Sequence, residues 1–407
     1  MGYKELGKKI SFADIAVSRS LENKRSVQMM ERINRVVTWK NIEALLVEYY
    51  EVGTTKEGAD AYGAMTKFYW VNDHGGIGGW KIDFLTRDDG YRASRTVAVT
   101  KQFVESDRVF ALSACTGTPN SIAVLPYLKK TGIPLAGLIG ASPKFTTPVI
   151  PNIFTLLPDY TWEAERAAEY LVEKLGFKKI GVLYENDDLG IPGFQGVKAY
   201  LETKGMDVVE ALPFDVTELD FSSYAFRMKK AGAQAVCIWG SNKNVASFAR
   251  EGLKIDYKPT LFAYFYCADP STFKLAGDIL DDRFYVASWL MPLSSTDPNM
   301  EEFRQALKEY FPKEDFGIFP MNGYSHAAIM VRGIEKIVQA GKDLTWKNLI
   351  GALNSIRDEK VGLVGSVTYT PEDHAGVKKT AIIKATKGEF VQVTDFERNP
   401  HIIPTGR

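Results

Sequence analysis

Short apolar segments of strand length alternate with helical segments along most of this chain, and the alternation runs twice. In the first run Ala61 to Asn72, Ala93 to Glu105 and Ser121 to Lys130 carry a helical pattern, while Trp80 to Leu85, Val109 to Leu112 and Ile133 to Leu138 read as strands. In the second, helices over Trp162 to Leu175, Gly193 to Lys204, Ser222 to Ala231 and Asn242 to Gly252 interleave with strands over Lys179 to Tyr184, Val208 to Leu212, Ala235 to Trp239 and Pro259 to Tyr264. This cadence builds a parallel sheet with crossover helices. Two such runs, parted by Pro151 to Asp159, predict an α/β chain with two doubly wound parallel-sheet lobes.

The last third departs from the repeat. A strand over Phe284 to Trp289 precedes helices over Asn299 to Tyr310, Gly323 to Gln339 and Trp346 to Ile356, the last with Thr345 as its N-cap. Strand-like Gly365 to Tyr369, Ala381 to Lys384 and Phe390 to Thr394 then close the chain. A return to helices followed by short strands is what lobes joined by a multi-strand hinge need. The expected division is 1–155 plus 290–360 for one lobe and 156–289 plus 361–407 for the other. The first fifty residues fit less well: Lys9 to Val17 resembles a strand, and Ser26 to Tyr50 mixes helical and β-rich patterns.

Charge removes some function classes. With 50 Lys+Arg against 50 Asp+Glu in 407 residues, the chain has no global attraction for a polyanion, so no nucleic-acid partner is expected. Cys115, Cys237 and Cys267 stand far apart and form neither a zinc motif nor a disulfide framework. No apolar run approaches the length of a membrane span. Met1 to Glu5 lack the charged-then-apolar layout of a secretory leader, which keeps a cytosolic location open.

Several loops carry ligand-binding chemistry. Gly75-Gly76-Ile77-Gly78-Gly79 follows a helix and opens a strand, the reverse of a dinucleotide fingerprint, so it reads as a helix cap and turn. Thr116-Gly117-Thr118-Pro119-Asn120 instead follows a strand and opens a helix, with Thr118 as expected N-cap and Pro119 in the first turn. Its free amides favour an anionic group at the carboxyl edge of the sheet. Gly140-Ala141-Ser142 ends the next strand, and so should lie beside that loop. The matching strand ends of the second run are Asp188 with Leu189, Ser241 with Asn242, and Tyr264-Phe265-Tyr266. Asp187 and Asp188 before a glycine read first as a solvated turn. No nucleophile elbow, Walker loop or zinc-helix motif accompanies His74, His326, His374 or His401, and His326 reads as a packed helical histidine. Neither catalysis nor a cofactor or metal is expected.

The run Val71-Asn72-Asp73-His74-Gly75-Gly76-Ile77-Gly78-Gly79-Trp80-Lys81-Ile82, followed by Asp88-Asp89, Val104-Glu105, Gly132-Ile133-Pro134, Tyr184 to Asp188 and Gly252-Leu253, resembles the type I periplasmic binding proteins of branched-chain amino-acid ABC importers. The resemblance spans residues 52 to 400. It implies two lobes that close on a small ligand and a membrane permease as partner, in the periplasm or lipid-anchored outside the cell. By motif position it puts Thr118 on the ligand carboxylate with Thr116 and Gly117 beside it in the ligand-binding loop, Gly140, Ala141 and Ser142 on a second contact loop, and Leu189, Asn242 and Phe265 on the closing lobe.

Three departures shape the expected ligand. Family members that take α-amino acids carry a carboxylate near position 265 for the ammonium; Tyr264-Phe265-Tyr266 offers none. Burying an ammonium without a countercharge is costly. An aromatic or aliphatic carboxylate, or an amide-like ligand, is therefore expected. Leu189 replaces an aromatic and leaves room for a larger body, and the family's first contact loop is not recognisable before Val52-Gly53. A cytosolic amide sensor on the same fold is the alternative function.

Overall fold

The computed structural model describes residues 9–10 and 58–402, with side chains from Asp60 onward. The expected strand beyond Ile10, the mixed segment Ser26 to Tyr50 and the loop before Val52 lie outside the described residues.

Strand β1 (Lys9–Ile10) pairs in parallel with β2 (Lys81–Ile82). Between them helix α1 (Gly58–Asp73) ends in the expected glycine turn, where the Gly76 amide donates to Val71 O at 2.8 Å. Helix α2 (Ala93–Lys101), prolonged by a π turn over Gln102–Ser106, leads to β3 (Leu112–Ser113), helix α3 (Thr118–Thr131), β4 (Leu135–Leu138) and β5 (Ile153–Thr155). Strands β3, β4 and β5 form a parallel three-stranded sheet in that order. Residues 151–159, expected only to part the lobes, thus contribute a strand. At three residues, its apolar run is too short to show a period.

The second run follows the expected plan. Helix α4 (Tyr160–Glu169) continues as a π turn, Tyr170–Lys174, and is followed by β6 (Ile180–Glu185), α5 (Gly190–Thr203), β7 (Glu210–Phe214), α6 (Ser222–Lys230), β8 (Ala235–Trp239), α7 (Asn242–Lys254), β9 (Thr260–Ala263), α8 (Ser271–Ala276) and β10 (Phe284–Ser288). Every residue of β8 is buried, as a central parallel strand covered by helices on both faces requires.

The chain then leaves this sheet for α9 (Pro298–Tyr310), α10 (Ile318–Gln339) and α11 (Trp346–Leu353), and returns as β11 (Lys379–Thr386), β12 (Glu389–Gln392) and β13 (Glu397–Arg398). The large sheet runs β12-β11-β10-β9-β8-β6-β7, with β13 on β11. Its β6 to β10 part is parallel, and β11 closes on β10 antiparallel. Isolated bridges join Thr155 to Ala375 and Leu290 to Val364, where chain segments pass between the two sheets. Residues 365–369, expected as a strand, make only an isolated bridge, Glu359 to Val367.

Helix α10 packs on α1 and on β4, so it faces the three-stranded sheet. The α1–α10 contact is backbone to backbone. A Cβ on Gly63 would lie 1.9 Å from Pro320 O, and one on Gly323 would lie 1.7 Å from Asp60 O. No helix among the described residues is long and apolar enough to cross a membrane.

Candidate functional site

The Thr116 to Asn120 loop opens α3, with one correction to its expected cap. Gly117, at φ 102°, is the N-cap, and Thr118 is the first helical residue. A side chain at 117 would put its Cβ 2.7 Å from the Tyr91 ring, so glycine serves both the backbone and the close approach. The shift by one residue frees the Thr118 hydroxyl from capping its own helix. It lies 3.1 Å from the Tyr160 hydroxyl. Thr116 sits at the mouth of the loop, half-buried, with its hydroxyl directed to Ala114 O at 3.4 Å.

The second loop falls beside the first, as its place in the sheet requires. A Cβ on Gly140 would come 3.3 Å from Thr118 Oγ1, and Ala141 O accepts from the Tyr160 amide at 3.0 Å. Ser142 is 3% exposed and caps the short turn Pro143–Phe145. Two of the expected contacts on this side, Thr118 and Ala141, therefore touch Tyr160, and Gly140 packs beside Thr118. This tyrosine, at the N-terminus of α4, was not among the residues singled out from sequence.

From Tyr160 an aromatic path runs onto the large sheet. Its ring meets Tyr264 edge-on at 6.1 Å between centroids, Tyr264 meets Tyr266 at 5.7 Å, and Tyr266 meets Phe319 at 5.3 Å. Phe265 is corrected: it is 1% exposed, with its ring 4.8 Å from Trp289 in the core and its amide donating to Glu163 Oε1 at 2.5 Å. Tyr264 and Tyr266 thus form the path while Phe265, between them, turns into the core.

The remaining expected contacts lie further out. Asn242 donates from Nδ2 to Ser271 Oγ at 3.0 Å, and Ser241 caps α7 in a capping box with Asn244. Asp187 accepts from the Leu189 and Gly190 amides at 2.9 and 3.0 Å and so tethers the start of α5, with half-buried Leu189 packed on the core. Asp188 pairs with Lys144 at 2.6 Å. The structure thus brings Thr118, Ala141 and Tyr264 against Tyr160, with Tyr266 next along the path, and ties Ser241 and Asn242 into the neighbouring helix ends.

The carboxylates nearest this cluster are buried and engaged. Burial pushes Glu163 up to about 8, against the Phe265 hydrogen bond, and raises Glu185 to about 7 with Asp187 adding to the effect. Burial also raises the Tyr160, Tyr264 and Tyr266 phenols, which therefore keep their protons as donors near neutrality. The histidines take structural roles. His74, His374 and His401 stack on Trp70, Phe154 and Trp162, and His326 is fully buried and bonded to Asn322 O. Among the described residues no group of three or more metal-binding side chains is found.

Residues 53–389 match the family model described as periplasmic binding protein. The chain belongs to the periplasmic binding protein family. A Pseudomonas aeruginosa relative, the leucine-, isoleucine-, valine-, threonine- and alanine-binding protein, is 22% identical over 68% of this chain and 73% of its own length. Two solved structures share the fold. A fatty acid ABC transporter substrate-binding protein from Thermomonospora curvata has a TM-score of 0.75 and 24% identity over 85% of this chain and 90% of that one. A branched-chain amino acid ABC transporter protein from Thermus thermophilus with bound valine has a TM-score of 0.78 and 20% identity, covering 86% and 95%. The expected type I architecture, of the branched-chain amino-acid transporter kind, is borne out.

In a two-lobed periplasmic binding protein, a contact between loops of different sheets acts on the open-to-closed equilibrium. The Lys144–Asp188 pair joins the loop after β4 to the loop after β6, with both side chains largely exposed. Exposed pairs contribute less than about 1 kcal/mol. Asp188→Asn is accordingly expected to weaken solute affinity by about threefold at low ionic strength and by less in high salt, as titration calorimetry at two salt concentrations would record.

Proposed function

We propose that this chain is the solute-binding component of an ABC importer, working outside the cytoplasm with membrane permease subunits and performing no bond chemistry. Its lobes are residues 1–155 with 290–360 and residues 156–289 with 361–407. The ligand is an aromatic or aliphatic carboxylate, or an amide-like molecule, and not a zwitterionic amino acid.

The observation that carries this reading is the meeting of Thr118 with Tyr160 beside the N-terminus of α3, continued through Tyr264 and Tyr266. Hydroxyls and helix amides suit an acid or carbonyl oxygen, and the tyrosine faces suit an apolar body. Glu163, the carboxylate beside Phe265, is poorly placed to pair with an ammonium. Glu163 is committed to the Phe265 amide, and with a pKa of about 8 it is mostly neutral at pH 7. Closure follows because only the closed form lets the ligand contact both lobes at once.

Calorimetric titration against a panel of small acids tests the anchor. Thr118→Ala should weaken the best ligand about tenfold, the scale of one hydrogen bond to a charged group. An unchanged affinity would reject Thr118 as the anchor.

A further inference from the structure

We propose that the cleft has a second polar subsite, formed by Tyr266 and Asn322, that selects a neutral ligand group able both to donate and to accept a hydrogen bond, such as a hydroxyl or a carboxamide. It rests on the proposed ligand cleft and lies at the Tyr266 end, away from Thr118.

The geometry starts with the α1–α10 crossing. Because the backbones touch at Gly63 and Gly323, the N-terminal ends of the two helices come together, and Asn322 of α10 reaches Asp60 of α1 at 2.9 Å. The same Nδ2 donates to the Tyr266 hydroxyl at 2.6 Å. Both amide protons are thereby used, one on the carboxylate and one on the phenol oxygen. The Tyr266 oxygen is an acceptor in that bond, so its own proton is available, and among the described residues none accepts it.

The other half of the amide supplies the complement. Asn322 is 0% exposed, and its Oδ1 has no hydrogen-bond partner among the described residues. A buried orphan acceptor costs about 1–3 kcal/mol and calls for a donor. Reversing the amide would turn Oδ1 toward the Asp60 carboxylate. The corner therefore offers one donor, the Tyr266 proton, and one acceptor, Asn322 Oδ1, beside a carboxyl group that is 1% exposed. A second carboxylate, having no proton to donate, would leave Oδ1 unmet. An apolar end would leave both groups unmet. A hydroxyl or carboxamide satisfies both, and the Phe319 ring against Tyr266 closes the apolar side.

The test compares matched acids by titration calorimetry on the full chain: para-hydroxybenzoate against benzoate, and glutarate monoamide against pentanoate, with terephthalate as the dianion. In at least one pair, the member bearing the polar group should bind about tenfold or more tighter than its partner, and terephthalate should bind no better than benzoate. Tyr266→Phe, which keeps the ring, should reduce that preference to threefold or less, and so should Asn322→Ala provided its circular dichroism matches wild type. Acids that bind and depend on Thr118, but without the preference or with a preference that survives Tyr266→Phe, would overturn the subsite alone. If none of the five binds, both the subsite and the acid-binding cleft fall.

Discussion

Gly323→Val is expected to cost about 3 kcal/mol or more of unfolding free energy, the upper range for overpacking, because the added side chain meets backbone and not a side chain that can swing away. A Cβ there would sit 1.7 Å from Asp60 O, and the reciprocal contact, Gly63 on Pro320 O, leaves the helix pair no direction in which to slide. Gly351 in α11 has open space around it and ordinary backbone, so Gly351→Ala should be neutral or stabilising by about 0.5–1 kcal/mol. Urea unfolding of the two variants beside wild type makes the comparison. Equal stability for Gly323→Val would mean that α1 and α10 do not touch as described, and the Asp60–Asn322–Tyr266 chain would go with them.

The second large effect is on pH. An acid whose folded pKa lies above its unfolded value favours folding only while protonated in both states, and that stability is lost as pH rises from the unfolded toward the folded value. Glu163, near 8 in the fold against 4.5 for the free side chain, and Glu185 and Asp159, each near 7, belong to this class. Buried histidines work in the opposite direction. His326, held to about 3, and His401, held to about 4, stay neutral in the fold while the unfolded chain takes up protons below 6.5, so they remove stability as pH falls. Above 6.5 the unfolded histidines give up their remaining protons and the carboxylates increasingly set the profile. From there to pH 8, Glu163 alone should remove about 2 kcal/mol at roughly 1.4 kcal/mol per unit. Glu163→Gln keeps an oxygen for the Phe265 amide without ionising. The variant should therefore match wild type near pH 5 and exceed it at pH 8, with a flatter profile between. Parallel profiles for the two proteins would show that Glu163 does not titrate in the fold.

Much of the fold was legible because buried parallel strands and their crossover helices leave strong periodic traces. Ala235 to Trp239 forms the strand read from its apolar run, and Asn242 opens its helix where expected. Failures came where local signals were short or ambiguous. Ile153–Thr155 is three residues flanked by proline, and the alternating Gly365 to Tyr369 finds no neighbouring strand to make a ladder. At α3 the threonine looked like the cap, yet a glycine with positive φ performed that role.

The site divides in the same way. Loops at strand ends, such as Thr116 to Thr118 and Gly140 to Ser142, were readable because the topology of a parallel sheet sends them to one edge. Tyr160, Asp60 and Asn322 were not, since each sits near the start of a helix whose apolar neighbours read as core. Asp159 before Tyr160 is a recognisable cap, and its side chain does accept from the Thr161 amide at 2.7 Å, but a cap says nothing of where the next side chain points. Asn322 meets Tyr266 across 56 residues, a pairing that sequence spacing does not encode.

Hydrogen–deuterium exchange, with and without the small acid that most raises the melting temperature, tests the shared cleft most directly. Slowed exchange in peptides covering residues 114–122 and 262–268 together, from opposite sides of the aromatic path, is the predicted result. Protection confined to one of the two, or appearing only elsewhere, would contradict a single solute held between them.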